Sequence, residues 1–150
     1  MPSTPTDNIW GWKWTKLAFG SLNFAGALLD VPLYEALQRM AFRPTFGAVV
    51  TEAVRVAYSL AQSRLPTYGT FRPGPFADGY GAEADDIFET LAVPEAGTIQ
   101  HFTGIQRDLM VRKRKTEVDQ IPGAVAAKAA PAGADSRLPC ELLAQRVTPL

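Results

Sequence analysis

Apolar residues recur along the chain at helical spacing, in segments separated by proline and glycine. The first segment runs from about Ile9 to Leu29. Its small and apolar positions follow the i, i+3, i+4, i+7 pattern, which predicts one buried helix face. The residues of that face are Trp14, Leu17, Ala18, Ser21, Leu22, Ala25 and Leu29. The helix is expected to end at Asp30-Val31-Pro32, because the residue before a proline disfavours helical backbone.

A second amphipathic helix is predicted from Thr45 to Arg64, with Pro44 at its start. Its buried face comprises Phe46, Val49, Val50, Ala53, Val54, Ala57 and Leu60. The polar residues Glu52, Arg55 and Gln62 are expected to point away from that face.

The rest of the chain alternates between loops and further helices. Residues 66–82 are rich in proline and glycine and are predicted to form a long loop. A long helical segment is expected from Ile99 to Ala130, kinked or broken at Pro122. Shorter helices are predicted at Leu33–Met40, Ala84–Leu91 and Leu138–Val147.

No stretch alternates convincingly like a strand, so the pattern predicts an all-α fold of about five helices. Residues 1–8 are polar and are expected to form a flexible leader, and residues 9–150 a single helical domain. A length of 150 residues agrees with one domain.

Composition and charge exclude several classes of protein. Fifteen basic residues balance fifteen acidic ones, which argues against a general nucleic-acid or membrane-surface binder. The polar start of the sequence predicts no signal peptide, and no apolar run reaches the roughly 20 residues that a membrane span needs. The single Cys140 and the single His101 exclude an intramolecular disulfide and a cysteine- or histidine-rich metal centre. A cytoplasmic protein without a metal site is therefore expected.

Two polar residues stand out on the first predicted helix. Lys16 and Asn23 are seven residues apart and share one face. They either form a polar pocket in an otherwise apolar wall or are a snorkelling lysine and a surface asparagine, and periodicity alone leaves both open.

Other polar and aromatic features have ordinary structural explanations. Taken alone, Glu117 is a solvated carboxylate, and the basic run Arg112–Lys115 is a solvated helix face. The tryptophans Trp10, Trp12 and Trp14 are expected to be core or lid anchors. Glycines with the spacing and strand context of a phosphate-binding turn are absent from the sequence.

Several segments together resemble one family. They are Trp14-Thr15-Lys16-Leu17 with Asn23, Leu28-Leu29-Asp30-Val31-Pro32-Leu33-Tyr34-Glu35, Val50-Thr51-Glu52-Ala53-Val54-Arg55-Val56-Ala57, Gln106-Arg107-Asp108-Leu109, and Thr116-Glu117-Val118-Asp119-Gln120-Ile121-Pro122-Gly123-Ala124-Val125. In this order and separation they resemble the C-terminal helical domain of ketopantoate reductases (2-dehydropantoate 2-reductases), a 6-phosphogluconate dehydrogenase C-terminal-like fold. The resemblance extends over roughly residues 9–147.

The resemblance implies a reaction and assigns residues to it. Those enzymes reduce the ketone of 2-dehydropantoate with NADPH on the route to pantothenate, and an N-terminal Rossmann domain binds the cofactor. By resemblance Lys16 is the catalytic lysine, Glu117 binds substrate, and Asn23 orients the substrate or the lysine. Thr103 is the nearest hydroxyl to the family's substrate-binding serine, whose aligned position is either Thr103 or Gly104. No cofactor-binding residue is assigned, because the chain is expected to lack the Rossmann domain.

The chemistry agrees with this assignment, and three departures accompany it. A hydride that reaches a ketone carbon leaves an alkoxide, which a nearby cation and proton donor stabilise. Gly20 replaces the first helix asparagine of many members, and Pro122 replaces the asparagine of an Asn-Gly pair. The interval from Asp108 to Glu117 is one residue longer than in the family.

Two hypotheses follow from different classes of function. In the first, the chain is the substrate-binding domain of a reductase for a small 2-keto acid, inactive alone and active only with a Rossmann partner chain. In the second, it is a standalone helical module for homodimerisation or ligand binding, or a relic fragment. Neither nucleic acid nor membrane is an expected partner.

Overall fold

The computed structural model describes residues 5–60, 62, 64–94 and 103–129. These residues form six helices and no strand, which confirms the predicted all-α class. The helices are α1 (Ile9–Leu28), α2 (Leu33–Gln38), α3 (Arg43–Ser59), α4 (Ala82–Leu91), α5 (Gly104–Gln106) and α6 (Pro122–Ala129). Single 3-10 turns occur at Met40–Phe42 and Gly74–Phe76, and a π-helical turn occurs at Arg107–Val111.

The longest helices, α1 and α3, pack against each other and form the centre of the domain. Helices α2, α5 and α6 pack on α1, while α4 packs on α2 and α3. The fully buried side chains come from all of these layers; they include Ala18, Leu22, Phe24, Leu37, Val50, Ala53, Val54, Ile87, Phe88 and Val125. The predicted buried faces of α1 and α3 are therefore confirmed.

The ends of the two long helices show what stops them. Asn8 caps α1: its side-chain oxygen accepts a hydrogen bond from the Gly11 amide at 3.2 Å, and its Nδ2 donates to the Arg64 carbonyl at 2.8 Å. The first helix ends near its predicted position, at Leu28. Helix α3 starts at Arg43 but ends at Ser59, five residues before the predicted Arg64. Its apolar face ends at Leu60, so packing does not stabilise another turn.

One polar residue of α3 does not follow the prediction. Glu52 was expected to point away from the buried face, yet it is only 7% exposed. Its neighbours on the helix, Thr51 and Ala53, are buried as well, so α3 is enclosed over most of its circumference at this level. Periodicity locates one buried face of a helix but does not reveal when a second face is also covered.

The predicted loop between α3 and α4 is confirmed, and two phenylalanines connect it to the core. Tyr68 and Phe71 pair backbone to backbone at 2.9 and 3.0 Å across a tight turn. Phe71 and Phe76 are fully buried, with ring centroids 5.9 Å apart. Phe76 in turn contacts Phe88 of α4 at 5.4 Å. The loop is therefore a fixed part of the fold, which places Tyr68 next to α1.

A buried arginine connects α2, α3 and α4. Arg43 is 3% exposed; its Nε donates to the Leu37 carbonyl at 2.6 Å, and its Nη1 contacts Asp85 at 3.0 Å and Glu89 at 2.6 Å. The Tyr80 hydroxyl also donates to Asp85. The hydrogen bonds from Tyr80 and Arg43 lower the pKa of Asp85, and burial raises the pKa of Tyr80.

The predicted long helix from Ile99 to Ala130 is wrong in its middle part. The helical backbone stops after the π turn, and Lys113 has a left-handed φ of 50° that reverses the chain. The basic run Arg112–Lys115 is therefore not a helix face. Pro122 does not kink a helix but is the first residue of α6. Proline is tolerated there because the N–H groups of the first helical turn make no hydrogen bond within the helix.

Two of the three tryptophans are not in the core. Trp10 and Trp12 are exposed, so a core position is wrong for both, and only Trp14 packs against the core cluster. Residues 1–4 of the predicted leader, His101, Cys140 and the predicted helix Leu138–Val147 lie outside the described residues. No helix in the described ranges is long and apolar enough to cross a membrane.

Candidate functional site

A cavity of about 590 Å³ lies between α1, α5 and the segment 107–121. Its volume is within the range of small-molecule binding sites. The structure brings all four predicted site residues together on its walls: Lys16, Asn23, Thr103 and Glu117. They come from positions up to 101 residues apart in the chain, so the fold rather than local sequence assembles the site.

The α1 wall carries the lysine and the asparagine. Lys13, Lys16, Gly20 and Asn23 follow at helical spacing and all face the cavity. Periodicity left two alternatives open for Lys16 and Asn23, a polar pocket or two unrelated surface positions. Their common place on the cavity wall favours the pocket.

Thr103 is fixed at the edge of the cavity because it caps α5. Its hydroxyl oxygen accepts a hydrogen bond from the Gln106 amide at 3.3 Å, and the Gln106 side chain accepts one from the Thr103 amide at 3.2 Å. This is a capping box. Nε2 of the buried Gln106 also donates to the Val31 carbonyl at 2.9 Å, which connects α5 to the turn after α1. Thr103 and Gly104, the two candidates for the family's serine position, both line the cavity.

Asp108 and two arginines form a charged cluster on the opposite wall. Asp108 is buried, and Arg112 Nη1 lies 2.7 Å from its Oδ1. Arg114 contacts both carboxylate oxygens, through Nε at 3.0 Å and Nη2 at 3.1 Å. Hydrogen bonds from Arg114 and then Arg112 lower the pKa of Asp108, and the same carboxylate raises the pKa of Arg114.

A π turn follows α5 and leads the chain from Asp108 toward Glu117. The Arg112 amide donates to the carbonyl of Arg107, five residues earlier, at 2.9 Å. This hydrogen bond spans five residues, whereas an α-helical hydrogen bond spans four. Turns with the wider spacing often occur at functional sites. The chain then returns to α1, and Glu117 lines the cavity at the start of the next turn.

Gly20 lets this returning segment approach α1. A Cβ at position 20 would lie 3.2 Å from Cγ2 of Ile121, closer than most real Cβ contacts. The glycine at position 20 therefore has a steric role: it leaves room for Ile121 beside the cavity.

Sequence reasoning missed several cavity residues. Tyr68 comes from the loop before α4 and packs on Phe19 with centroids 5.7 Å apart. Arg112 and Arg114 belong to the run that was interpreted as solvated. The signal that could have found them is the spacing of Asp108 and Arg112, which are four residues apart and suit an ion pair.

The cavity carries an excess of positive charge. Four cationic side chains line it against two carboxylates; the cations are Lys13, Lys16, Arg112 and Arg114, and the carboxylates are Asp108 and Glu117. This balance favours an anionic ligand. Among the described residues no group of three or more His, Cys, Asp or Glu is arranged to hold a metal ion.

The described residues do not fit a dinucleotide site. Binding of a pyrophosphate in a Rossmann unit uses a glycine-rich turn between a strand and a helix. The described ranges contain no strand, and the segment Gly79–Gly81 reaches α4 from an irregular loop. The described ranges therefore contain no turn of this kind for a dinucleotide.

Comparison with known proteins adds a family and a fold. A family model described as "Ketopantoate reductase PanE/ApbA C terminal" matches residues 8–140. Among solved structures, the ternary structure of D-mandelate dehydrogenase with NADH and anilino(oxo)acetate superposes with a TM-score of 0.71 and 23% sequence identity. The superposition covers 95% of this chain but only 41% of that dehydrogenase. A comparison with curated protein sequences gives no match.

Proposed function

The chain belongs to the family of the ketopantoate reductase PanE/ApbA C-terminal domain, and from this premise we propose that it is the substrate-binding part of an NADPH-dependent 2-dehydropantoate 2-reductase in pantothenate biosynthesis. A Rossmann domain would bind NADPH, which supplies the hydride. The observation that carries the proposal is the convergence of Lys16, Asn23, Thr103 and Glu117 on one cavity.

Lys16 is proposed as the acid. Reduction of a ketone places a negative charge on its oxygen, and an ammonium group beside that oxygen both stabilises the charge and donates a proton. Lys16 lines the cavity on α1, a twenty-residue helix whose packing against α3 holds the backbone in place. A lysine suits this task because its ammonium is a compact cation with three donors.

The other three side chains would orient the substrate. The Glu117 carboxylate can accept a hydrogen bond from a substrate hydroxyl, and the Asn23 amide both donates and accepts. The Thr103 hydroxyl is placed at the cavity edge by its capping box with Gln106. Such contacts would increase the rate because they hold the substrate ketone in a fixed orientation toward the hydride donor.

The charge of the cavity supports an oxo acid as the substrate class. A 2-oxo acid brings one carboxylate into a site with a formal excess of two positive charges. The superposing dehydrogenase was solved with anilino(oxo)acetate, itself an oxo acid, and this likeness supports the proposed substrate class.

The test is an activity assay in the presence of a Rossmann domain. The full chain is mixed with a separately produced cofactor domain of a ketopantoate reductase, and NADPH oxidation by 2-dehydropantoate is followed. We expect turnover from the mixture and none from the chain alone. Lys16→Met should lower kcat/KM by about 100-fold or more, the contribution of a positioned proton donor.

A matched lysine elsewhere on the domain provides the control. Lys128 is exposed in α6 and does not line the cavity. Lys128→Met should therefore leave the rate unchanged. An inert mixture, or a Lys16→Met variant as active as the unmodified chain, would contradict the proposed function.

A further inference from the structure

The proposed reaction leaves one charged cluster of the cavity without a role. Asp108, Arg112 and Arg114 line the wall opposite α1, and none of them takes part in the proton transfer or in holding the substrate hydroxyl. Asp108 is 7% exposed and each arginine is close to it. A buried carboxylate that binds two guanidinium groups keeps a net positive charge at this wall.

The two arginines are bound to Asp108 in different ways. Arg114 makes a two-point contact, in which Nε and Nη2 face the two carboxylate oxygens at 3.0 and 3.1 Å. Arg112 makes a single contact, from Nη1 to Oδ1 at 2.7 Å. Within the described part of the chain, Nε and Nη2 of Arg112 have no hydrogen-bond partner. In the described part of the chain Arg112 thus keeps two of its three nitrogens, Nε and Nη2, for a ligand, whereas Arg114 keeps only Nη1.

The backbone holds Arg112 in a defined position. Its amide closes the π turn on the Arg107 carbonyl at 2.9 Å, and the next residue, Lys113, has a left-handed φ of 50°. The Arg114 amide then donates to the Asp108 carbonyl at 3.0 Å, so the reversed chain is bonded on both sides of Arg112. Its side chain is 48% exposed and lines the cavity.

The remaining cation of the cavity is a weaker candidate for the same task. Nζ of Lys13 lies 4.5 Å from the centroid of the exposed Trp10 ring. A cation over an aromatic face is already engaged, and a lysine offers no planar pair of donors. A guanidinium matches a carboxylate in plane and in donor spacing.

We propose that Arg112 binds the carboxylate of the oxo-acid substrate, with Asp108 as the residue that positions it. This inference rests on the proposed function. It assigns the two ends of the substrate to different walls: the ketone oxygen to Lys16 on α1, and the carboxylate to Arg112 at the end of the π turn. A substrate without a carboxylate gains nothing from Arg112.

The test compares an acid with its ester. Binding of 3-methyl-2-oxobutanoate and of its methyl ester to the full chain is measured by ligand-detected NMR. Arg112→Gln should weaken binding of the acid by about 10- to 100-fold and leave binding of the ester unchanged. Arg112→Lys keeps a cation beside Asp108 but not the planar guanidinium. Its affinity for the acid should therefore lie between that of the unmodified chain and that of Arg112→Gln.

The matched control is an arginine of the same turn. Arg107 is exposed and does not line the cavity, so Arg107→Gln should bind the acid as the unmodified chain does. Equal affinity of the Arg112→Gln variant and the unmodified chain for the acid would overturn the inference. Equal losses for acid and ester would overturn it too, because they would indicate a structural role.

The same experiment separates this inference from the proposed function. If Lys16→Met abolishes turnover while Arg112→Gln binds the acid normally, the reaction stands and the carboxylate site is wrong. If the unmodified chain binds neither compound, the proposed function fails and the inference fails with it.

Discussion

Replacing Gly47 by alanine should destabilise the domain, although alanine favours a helix interior over glycine by about 1 kcal/mol. Gly47 is a buried residue of α3, and the side chain of Tyr80 lies directly against it. A Cβ at position 47 would lie 2.7 Å from Cβ of Tyr80 and nearer still to atoms of its ring. The tyrosine must therefore move.

The cost of that movement follows from two contacts of Tyr80. Its ring stacks on Phe88 with centroids 5.5 Å apart, and its hydroxyl donates to Asp85. Overpacking costs about 1–3 kcal/mol, and a hydrogen bond to a charged group contributes about 1.5–3 kcal/mol. Less the gain of about 1 kcal/mol in helix propensity, these costs predict that Gly47→Ala lowers the free energy of unfolding by about 1.5–5 kcal/mol.

Urea unfolding of the full chain, followed by helical circular dichroism, measures this change. The control is the same substitution in a Tyr80→Gly background, where neither the ring nor the Cβ of residue 80 opposes the new Cβ. There Gly47→Ala should raise stability by up to about 1 kcal/mol. An increase of that size in the unmodified background would refute the close packing of α3 against Tyr80.

Two further predictions concern buried charges. Arg43→Met removes three hydrogen bonds of a buried guanidinium and should lower the free energy of unfolding by about 2–3 kcal/mol, since Glu89 can regain water; equal stability in urea would contradict this. The pKa of Asp108 is lowered in the folded state, so its contribution to stability is present at neutral pH and is lost as the pH falls through its folded pKa. The unmodified chain should therefore melt above Asp108→Asn at neutral pH; in calorimetry the difference should begin to shrink below about pH 4, the ordinary pKa of an aspartate, and disappear only below the lower folded pKa. A difference that stays constant with pH would count against the ion pairs.

Periodicity was sufficient for the helices that carry the core. The apolar faces of α1 and α3 are long and regular, so burial alone locates them. The same reasoning placed Lys16 and Asn23 on one face. It could not decide that this face borders a cavity, because the opposite wall comes from residues 103–121, far along the chain.

Other features depend on tertiary contacts that a local pattern does not contain. Thr103 and Glu117 were selected by family resemblance, and nothing in their local spacing relates them to Lys16. The π turn at Arg107–Val111 and the left-handed Lys113 interrupt what the composition describes as one helix. The run Arg112–Lys115 is exposed, as predicted, but the ion pairs of Arg112 and Arg114 with the buried Asp108 form only when the chain folds.

The exposed tryptophans show a different limit of composition. A large aromatic residue is expected in a core, yet Trp10 is 59% exposed and Trp12 40% exposed at the start of α1. The fully buried residues that follow on this helix include the smaller Thr15 and Ala18. Residue size does not identify the buried face when the face is packed closely by small side chains.

The central claim is that the cavity between α1 and segment 103–121 binds a 2-oxo acid. The most direct measurement is a titration of the full chain with 2-dehydropantoate, followed by backbone amide NMR. We predict that the largest shifts occur around Lys16, Asn23, Thr103 and Glu117. Shifts confined to another surface, such as the shallow concavity of residues 74–84, or no shifts at all, would contradict the account.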